Sequence, residues 1–446
     1  MTKYTYRHIW HVAFPILLSL LMEHMIGLTD TAFLGRLGGH RGEVALGASA
    51  LGGVYYIAVF MLGFGFSVGA QILMARRNGE ERYREIGPIF QQGALFLLFL
   101  ATVVFVFSKL FAPQILGKLI SSTEIYHATL EYLNWRIYGF FFIFLAVIFR
   151  AYYVAITKTK ILTINSIVMV LSNVVLNYGL IFGKFGLPAL GVAGAAIASS
   201  VAELVSLTFF VIYTAKKIDW RKYDLFRRTR LNLKELGHVL NLSSWTMVQQ
   251  FVAVSTWFMF FIAVEHLGER PLAVTNIVRS VSSLLFIIVS SFATTSSSLV
   301  SNMMGAEQTR EVMPTVWRIL RMCYMIVIPL LAIIMLLPRL VLRIYTDNLS
   351  LVDASVPSLL VMASAYLIQT AAFVWFNTVS GTGNTRSAFA LEMAAIATYA
   401  LYVYIVVIRM RADVAWCWTT EHLYGIVMFA LAYLYMRKAD WRSKKI

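Results

Sequence analysis

Charged side chains are scarce in this sequence. Only 13% of its 446 residues are Asp, Glu, Lys or Arg, whereas 59% are hydrophobic. A soluble domain carries about 25% charged residues, and a soluble fold of this length would leave large apolar patches exposed to water. The composition therefore excludes an ordinary soluble domain and favours a chain surrounded by lipid.

Cysteines are rare, and the motifs of several enzyme classes are missing. The two cysteines, Cys323 and Cys417, both fall in apolar stretches, which favours buried free thiols over a disulfide. The sequence has no GxxxxGK(S/T) loop for nucleotide phosphates, no HExxH, and no clustered Cys and His at metal-ligand spacing. We therefore expect no ATP hydrolysis in this chain, no bound cofactor and no zinc site.

Long apolar stretches are what the sequence has in abundance. A membrane-spanning helix needs about 20 mostly apolar residues, and these runs are too long and too continuous for the alternating strands of a membrane barrel. The sequence predicts an all-α polytopic membrane protein with twelve transmembrane helices. The predicted spans lie near residues 10–34, 45–74, 88–111, 131–156, 161–183, 189–214, 242–266, 271–302, 316–337, 357–381, 387–409 and 414–436.

Basic residues exceed acidic ones and give the chain a formal net charge of +16. If the N-terminus is inside, the inner loops and tails hold 25 basic residues and the outer loops hold 10. Lys and Arg concentrate on the cytoplasmic side of membrane proteins. The charge therefore predicts topology, with both termini cytoplasmic, and we expect no nucleic acid partner.

The most polar segment, residues 214–235, lies near the middle of the chain. Its low hydrophobicity and high charge are typical of a solvated or membrane-surface linker. The sequence thus predicts three parts: an N-terminal six-helix lobe (1–214), a basic cytoplasmic linker (215–240) and a C-terminal six-helix lobe (241–446).

The two halves resemble each other at a shift of 226 residues. At that shift Gly79 aligns with Gly305, and Thr159 aligns with Thr385. The matches lie mainly at helix ends and loops, where chance agreement between apolar sequences is least expected. Because six is an even number, both halves enter the membrane from the same side. The lobes are therefore predicted to be related by an axis along the membrane normal.

Ionisable and amide side chains inside the predicted spans are the candidate functional residues, since such groups are costly in lipid. Glu23 and Asp30 are seven residues apart and lie on one face of the first helix. Asn173 and Asn177 share a face of the fifth helix. The alternatives are that Asp30 caps the helix or pairs with Arg36, that Glu23 pairs structurally with a neighbouring helix, and that the amides join helices.

Other polar residues have no partner that the sequence can name. The repeat places Gln249 opposite Glu23, which suggests that ion-coupling chemistry is concentrated in the first half. Structural pairing is the default expectation for the ionisable residues that interrupt other apolar stretches, namely Glu203, Arg279 and Glu392.

Three motifs resemble those of the multidrug and toxic compound extrusion (MATE) family. They are LTDTAFLGRLG at residues 28–38, PALGVAGAA at 188–196 and GTGNTR at 381–386. The acidic turns at 122–124 and 345–347 match as well, and the DinF-like branch is the most similar. The resemblance covers nearly the whole chain. It implies twelve helices in two lobes around a V-shaped cavity, and a secondary antiporter that exports bulky amphipathic, often cationic, compounds by alternating access.

The resemblance also assigns roles to particular residues. It implies that Asp30 binds the coupling ion, which is a proton or sodium, with Asn173 and Ser199 beside it. The family's usual Asp is replaced here by Asn177, and its helix-seven Glu by Gln249 and Gln250. Both departures remove carboxylates, so we expect protons rather than sodium, with a possible sodium ion at Asp30 and no other metal.

The remaining expectations concern substrate, partners and location. Gln249, Gln250, Trp257 and Trp375 are candidates for a cavity that takes a small-molecule substrate. We expect a functional monomer in contact with membrane lipid, in the bacterial cytoplasmic (inner) membrane. Two other readings stay open: a flippase for a lipid-linked substrate, and a membrane-embedded enzyme. The enzyme would need a catalytic His/Asp pair, but His24 and Asp30 are six residues apart and lie on different faces of the first helix.

Overall fold

A computed structural model describes residues 4–120, 122–225 and 232–444 of the chain. These residues form helices joined by short turns, and no strand occurs among them. Long apolar runs form helices in lipid because a helix pairs its own backbone N–H and C=O groups. The hydrocarbon core holds no water that could pair them instead.

Eight helices make up the first half of the chain. They are α1 Tyr6–Gly35, α2 Gly39–Gly79, α3 Ile86–Leu119, α4 Thr123–Arg136, α5 Gly139–Ala155, α6 Lys160–Phe182, α7 Gly191–Lys217 and the short α8 Trp220–Tyr223. A 3₁₀ turn, Tyr83–Glu85, precedes α3. Helices α4 and α5 meet at a bend of 52°, and only as a pair are they long and apolar enough to count as a span. That span corresponds to the predicted stretch 131–156.

The second half contains eight more helices. They are α9 Leu233–Glu265, α10 Glu269–Gly305, α11 Thr309–Leu336, α12 Pro338–Arg343, α13 Leu349–Gly381, α14 Thr385–Val403, α15 Val414–Cys417 and α16 Thr420–Lys438. A π-helical segment, Tyr404–Arg409, continues α14. The predicted last span, 414–436, is divided, because α15 ends at Cys417 and α16 begins at Thr420. The hydroxyls of Thr419 and Thr420 donate to the carbonyls of Trp416 and Cys417 at the break, in competition with the helix ladder.

Ten of these helices are long and apolar enough to cross a membrane, and the bent pair α4–α5 makes eleven in the described part of the chain. Helix α16, with 19 residues and a polar first turn, is not among these eleven; together with α15 it occupies the predicted last span, 414–436. Every predicted span is thus helical, although the fourth and the last are each divided between two helices. The predicted fold class, an all-α multi-pass membrane protein, is confirmed.

The backbone repeats the pattern seen in the sequence. Helices α2 and α10 are each followed by a glutamate in the left-handed region, Glu81 with φ 59° and Glu307 with φ 58°. Thr157 before α6 and Gly383 before α14 also have positive φ, at 59° and 89°. Both pairs are separated by the 226 residues found from the sequence. A turn shared at equivalent positions is the backbone signature of two related halves.

Two compact units emerge from the packing of the chain. One contains residues 18–78 and 82–251, and the other contains residues 1–17, 79–81 and 252–446. The boundary falls inside α9 rather than in the predicted linker 215–240, of which residues 226–231 lie outside the described part. The lobe limits 1–214 and 241–446 stay predictions.

Candidate functional site

Helices α6 and α7 approach each other closely enough to share a polar site. A Cβ added at Gly194 of α7 would lie 2.5 Å from the carbonyl oxygen of Leu180 in α6. Only glycine permits this approach. The small-residue motif 188–196 therefore has a packing role, and it brings Ser199 of α7 beside the two asparagines of α6.

Asp30 of α1 receives three hydrogen bonds from these two helices. Asn177 Nδ2 donates to Asp30 Oδ1 at 2.5 Å, and Ser199 Oγ donates to Asp30 Oδ2 at 2.8 Å. Asn173 Nδ2 donates to Asp30 Oδ1 at 3.3 Å and to Ser199 Oγ at 3.1 Å. We call these four residues the Asp30 cluster. Four of the five residues predicted as a cation-coupling set thus lie together.

The Asp30 cluster lies in the interior of the protein. Asn173 and Asn177 are fully buried, Ser199 is nearly so, and Asp30 is half-buried. Asp30 makes no ion pair with Arg36 within the described residues. The alternative that it pairs with Arg36 is therefore not supported.

The donors around Asp30 suit an ionised carboxylate, which only accepts hydrogen bonds. Asn177 also donates to Asn173 Oδ1 at 3.0 Å, but its own Oδ1 is buried without a hydrogen-bond partner among the described residues. Turning the Asn177 amide over would point this oxygen towards Asp30. The cluster can therefore offer donors to a carboxylate, or an acceptor to a protonated acid or a cation.

Glu23 does not join the Asp30 cluster, and its place in the cation-coupling set stays a prediction. Arg150 of α5 donates through Nη1 to Glu23 Oε1 at 2.8 Å and to Oε2 at 3.0 Å. Ser19 Oγ donates to Glu23 at 3.1 Å and contacts Ser166 Oγ at 2.7 Å. Because Arg150 compensates its charge, Glu23 fits the alternative of a structural pair with a neighbouring helix.

Glu203 forms a second, deeper ion pair. Arg136 donates to its two carboxylate oxygens at 2.8 and 2.6 Å, and Tyr56 OH donates to the same oxygens at 3.0 and 3.1 Å. The guanidinium lies 3.6 Å from the centroid of the Tyr56 ring. A Cβ at Gly139 would lie 2.3 Å from Glu203 Oε2, so a larger residue there would displace the paired carboxylate. The expected structural pairing of Glu203 now has a partner, Arg136, that the sequence did not identify.

The residues predicted to line a cavity have different environments. Gln249 is 4% exposed and Gln250 is half-buried, both on α9. Trp257, also on α9, is half-buried. Trp375 of α13 is fully buried, with ring centroids 5.4 Å from Trp317 and 5.1 Å from Tyr433. This packing argues against Trp375 lining an open cavity in the conformation described.

Two acids of the second half have partners that the sequence did not reveal. The amide of Gln369 donates to Glu421, and Tyr399 OH donates to the same carboxylate at 3.4 Å. Tyr424 OH donates to Glu392 at 3.3 Å. Glu421 was not singled out from the sequence, although it lies inside the predicted span 414–436 as an ionisable residue. Among the described residues, no group of three or more His, Cys, Asp or Glu side chains is placed to hold a metal ion.

The fold and the Asp30 cluster define a polytopic helical membrane protein with a half-buried carboxylate held between its helices. The MatE family model matches residues 15–179 and 246–405, one stretch in each half. The chain belongs to the MatE family. The resemblance drawn from the motifs is thereby confirmed, whereas the DinF-like branch stays a prediction.

Curated relatives carry the name probable multidrug resistance protein NorM. The one from Idiomarina loihiensis is 25% identical over 303 residues, covering 67% of this chain and 64% of that protein. The one from Aromatoleum aromaticum is 27% identical over 308 residues, with the same coverage of 67% and 64%. The similarity therefore spans a little under two thirds of these relatives' length.

Solved structures share the whole fold. An outward-facing multidrug resistance MATE family transporter superposes with a TM-score of 0.89 at 16% identity, covering 99% of this chain and 97% of that one. The eukaryotic MATE transporter AtDTX14 gives a TM-score of 0.86 at 17% identity, covering 98% and 96%. At these identities the likeness shows the fold alone.

Proposed function

We propose that this protein is a cation-coupled antiporter that exports bulky amphipathic or cationic compounds by alternating access. The observation that carries the proposal is the Asp30 cluster, a half-buried carboxylate held by buried donors between α1, α6 and α7 in a chain of the MatE family. The names of the NorM relatives agree with multidrug export. The MatE match favours this function over a flippase and over a membrane-embedded enzyme.

Asp30 is suited to exchange an ion because its two states need different neighbours. The ionised carboxylate accepts from Asn177, Ser199 and Asn173. A protonated Asp30 must instead donate, and Ser199 Oγ or the unpartnered Asn177 Oδ1 can accept. Loading the ion thus changes the contacts of α1 with α6 and α7. A transported ion can drive a conformational change only through such a difference in affinity between states.

We favour protons over sodium as the coupling ion. Desolvation of a carboxylate favours its protonated form, and the cluster contains one carboxylate, since Asn177 occupies the position of the family's second acid. Two amide nitrogens and only one hydroxyl oxygen donate to Asp30, whereas hard cations prefer several oxygen ligands. Export by the protein in proteoliposomes should therefore stop when the proton gradient is collapsed and should continue without sodium.

The same vesicles provide the control for the coupling ion. A sodium gradient imposed after the proton gradient is collapsed should not restore export. Export that persists in this condition and disappears without sodium would show that sodium is the coupling ion.

We also propose that both termini and the basic linker are cytoplasmic, in the inner membrane of a bacterium. The charge count of 25 basic residues inside against 10 outside supports this orientation. In a background without Cys323 and Cys417, a cysteine at Arg270 should react with an impermeant maleimide in intact cells. A cysteine at Lys222 should react only after permeabilisation. Labelling of position 222 in intact cells would reverse the proposed topology.

The protein is proposed to act as a monomer with a small-molecule substrate and lipid as its partners. Every residue of the Asp30 cluster comes from one chain. No second copy is therefore needed to complete the ion site.

A further inference from the structure

Arg279 lies in a membrane-spanning helix and has no acidic partner among the residues that the structure describes. It lies on α10, ten residues after the helix begins at Glu269, or about 15 Å along the axis. Arg136 and Arg150 each bind a carboxylate. Across the described ranges 4–120, 122–225 and 232–444, no carboxylate lies within ion-pair distance of Arg279. An uncompensated charge at such a position is costly and marks a functional site by default.

Two aromatic rings of α9 hold the Arg279 guanidinium. Its Cζ lies 5.3 Å from the centroid of Phe261 and 6.0 Å from that of Trp257. The two rings lie one helical turn apart and contact each other at 4.6 Å in an edge arrangement. Cation–π contact stabilises the positive charge but uses none of its N–H groups. The five donors of a guanidinium thus have no acceptor among the residues that the structure describes.

The surroundings of the guanidinium are open and polar on one side. Arg279, Trp257 and Phe261 are all half-buried. Asn276, three residues before Arg279 on the same face of α10, is exposed. Ser283, four residues after it, is half-buried and donates to the Arg279 carbonyl at 2.9 Å. The cluster therefore offers an aromatic wall of two rings set 70° apart, a cation, and a further amide one turn away on the same helix, all within one compact unit.

We propose that Arg279, Trp257 and Phe261 bind an aromatic substrate that carries an anionic group such as a carboxylate or sulfonate. The anion accepts from the guanidinium, and the aromatic part of the substrate packs against the two rings. This assignment rests on the proposed export function and extends it, because the exported compounds then include aromatic acids and zwitterions. A lipid phosphate is the competing occupant for the same donors.

The test is a binding measurement with two matched probes. Calorimetry on the full-length protein in phosphatidylcholine nanodiscs compares 1-naphthaleneacetate with the neutral 1-naphthaleneacetamide, after subtraction of empty nanodiscs. Wild type should bind the anion more tightly than the amide. Arg279→Gln should weaken binding of the anion by about tenfold or more, because it removes charge-assisted hydrogen bonds, and should leave binding of the amide unchanged.

Two variants complete the design. Arg279→Lys keeps the charge and should retain most of the preference for the anion. Arg270→Gln removes an arginine of the same helix that binds Ser350 instead, and should behave as wild type. Neither replacement removes a residue of the Asp30 cluster.

Three results would overturn the proposal. Binding of the anion by Arg279→Gln at wild-type affinity excludes a role for the guanidinium. Equal loss of both probes assigns the binding to the aromatic wall rather than to the charge. Loss of anion binding to wild type when phosphatidylglycerol replaces phosphatidylcholine identifies a lipid headgroup as the occupant. None of these results bears on export driven through Asp30. The proposed function is therefore tested separately from the binding of anions at Arg279.

Discussion

Asp30→Asn is expected to abolish uphill export while insertion and substrate binding persist. Asparagine keeps the shape of the side chain and removes its titration. If Asp30 only packs against its neighbours or caps the end of α1, the amide of asparagine should support export nearly as well. If Asp30 carries the ion, the variant has no differential affinity for the driving ion, and a ligand without such a difference shifts no conformational equilibrium. The measurement is substrate accumulation against a gradient in proteoliposomes, beside equilibrium binding of the same substrate.

Glu23→Gln is the matched control for this experiment. Glu23 lies on the same face of α1, two turns before Asp30, but its carboxylate is held by Arg150. We expect a partial defect, because glutamine already stands at the position that the repeat aligns with it, Gln249. Complete loss of export in Glu23→Gln, with normal export in Asp30→Asn, would move the ion site to Glu23.

Glu203→Gln is expected to be the most destabilising of the conservative substitutions in the N-terminal half. It leaves Arg136, whose side chain is 11% exposed, as an uncompensated buried charge. Breaking a buried ion pair from one side costs roughly 3–5 kcal/mol. We expect the midpoint of thermal unfolding of the purified protein in detergent to fall by on the order of 10 °C.

Two comparisons make this stability prediction specific. The ion pair of Arg339 and Asp353 is 73% and 60% exposed, so Asp353→Asn should cost less than about 1 kcal/mol. The double variant Arg136→Met with Glu203→Gln removes both charges and should be more stable than Glu203→Gln alone. Similar losses for Asp353→Asn and Glu203→Gln would contradict the buried-pair account.

Much of the fold follows from local properties of the sequence. A long apolar run can satisfy its backbone in lipid only as a helix, so each predicted span is helical, although two of them are divided between two helices. Helical periodicity is local as well. This periodicity predicts that Asn173 and Asn177 share a face of α6, and both side chains donate hydrogen bonds to Asp30. The resemblance added Ser199, which periodicity alone could not connect with Asp30.

The partners of the other buried ions could not be predicted, because they depend on contacts between distant helices. Arg150 is 127 residues from Glu23, and Arg136 is 67 residues from Glu203. No pattern within one helix indicates which neighbour it will face. Trp375 shows the same limit, since an aromatic residue in an apolar run can face a cavity, lipid or, as here, the protein interior.

The central claim, that Asp30 exchanges a proton for substrate, is tested most directly by substrate-triggered proton release. Purified protein in weakly buffered, sodium-free detergent solution is mixed with an amphipathic cationic substrate, and the pH is followed with an indicator dye. The account predicts that wild type releases protons on substrate addition and that Asp30→Asn releases none. Equal release by the two proteins, or release by wild type only in the presence of sodium, would contradict it.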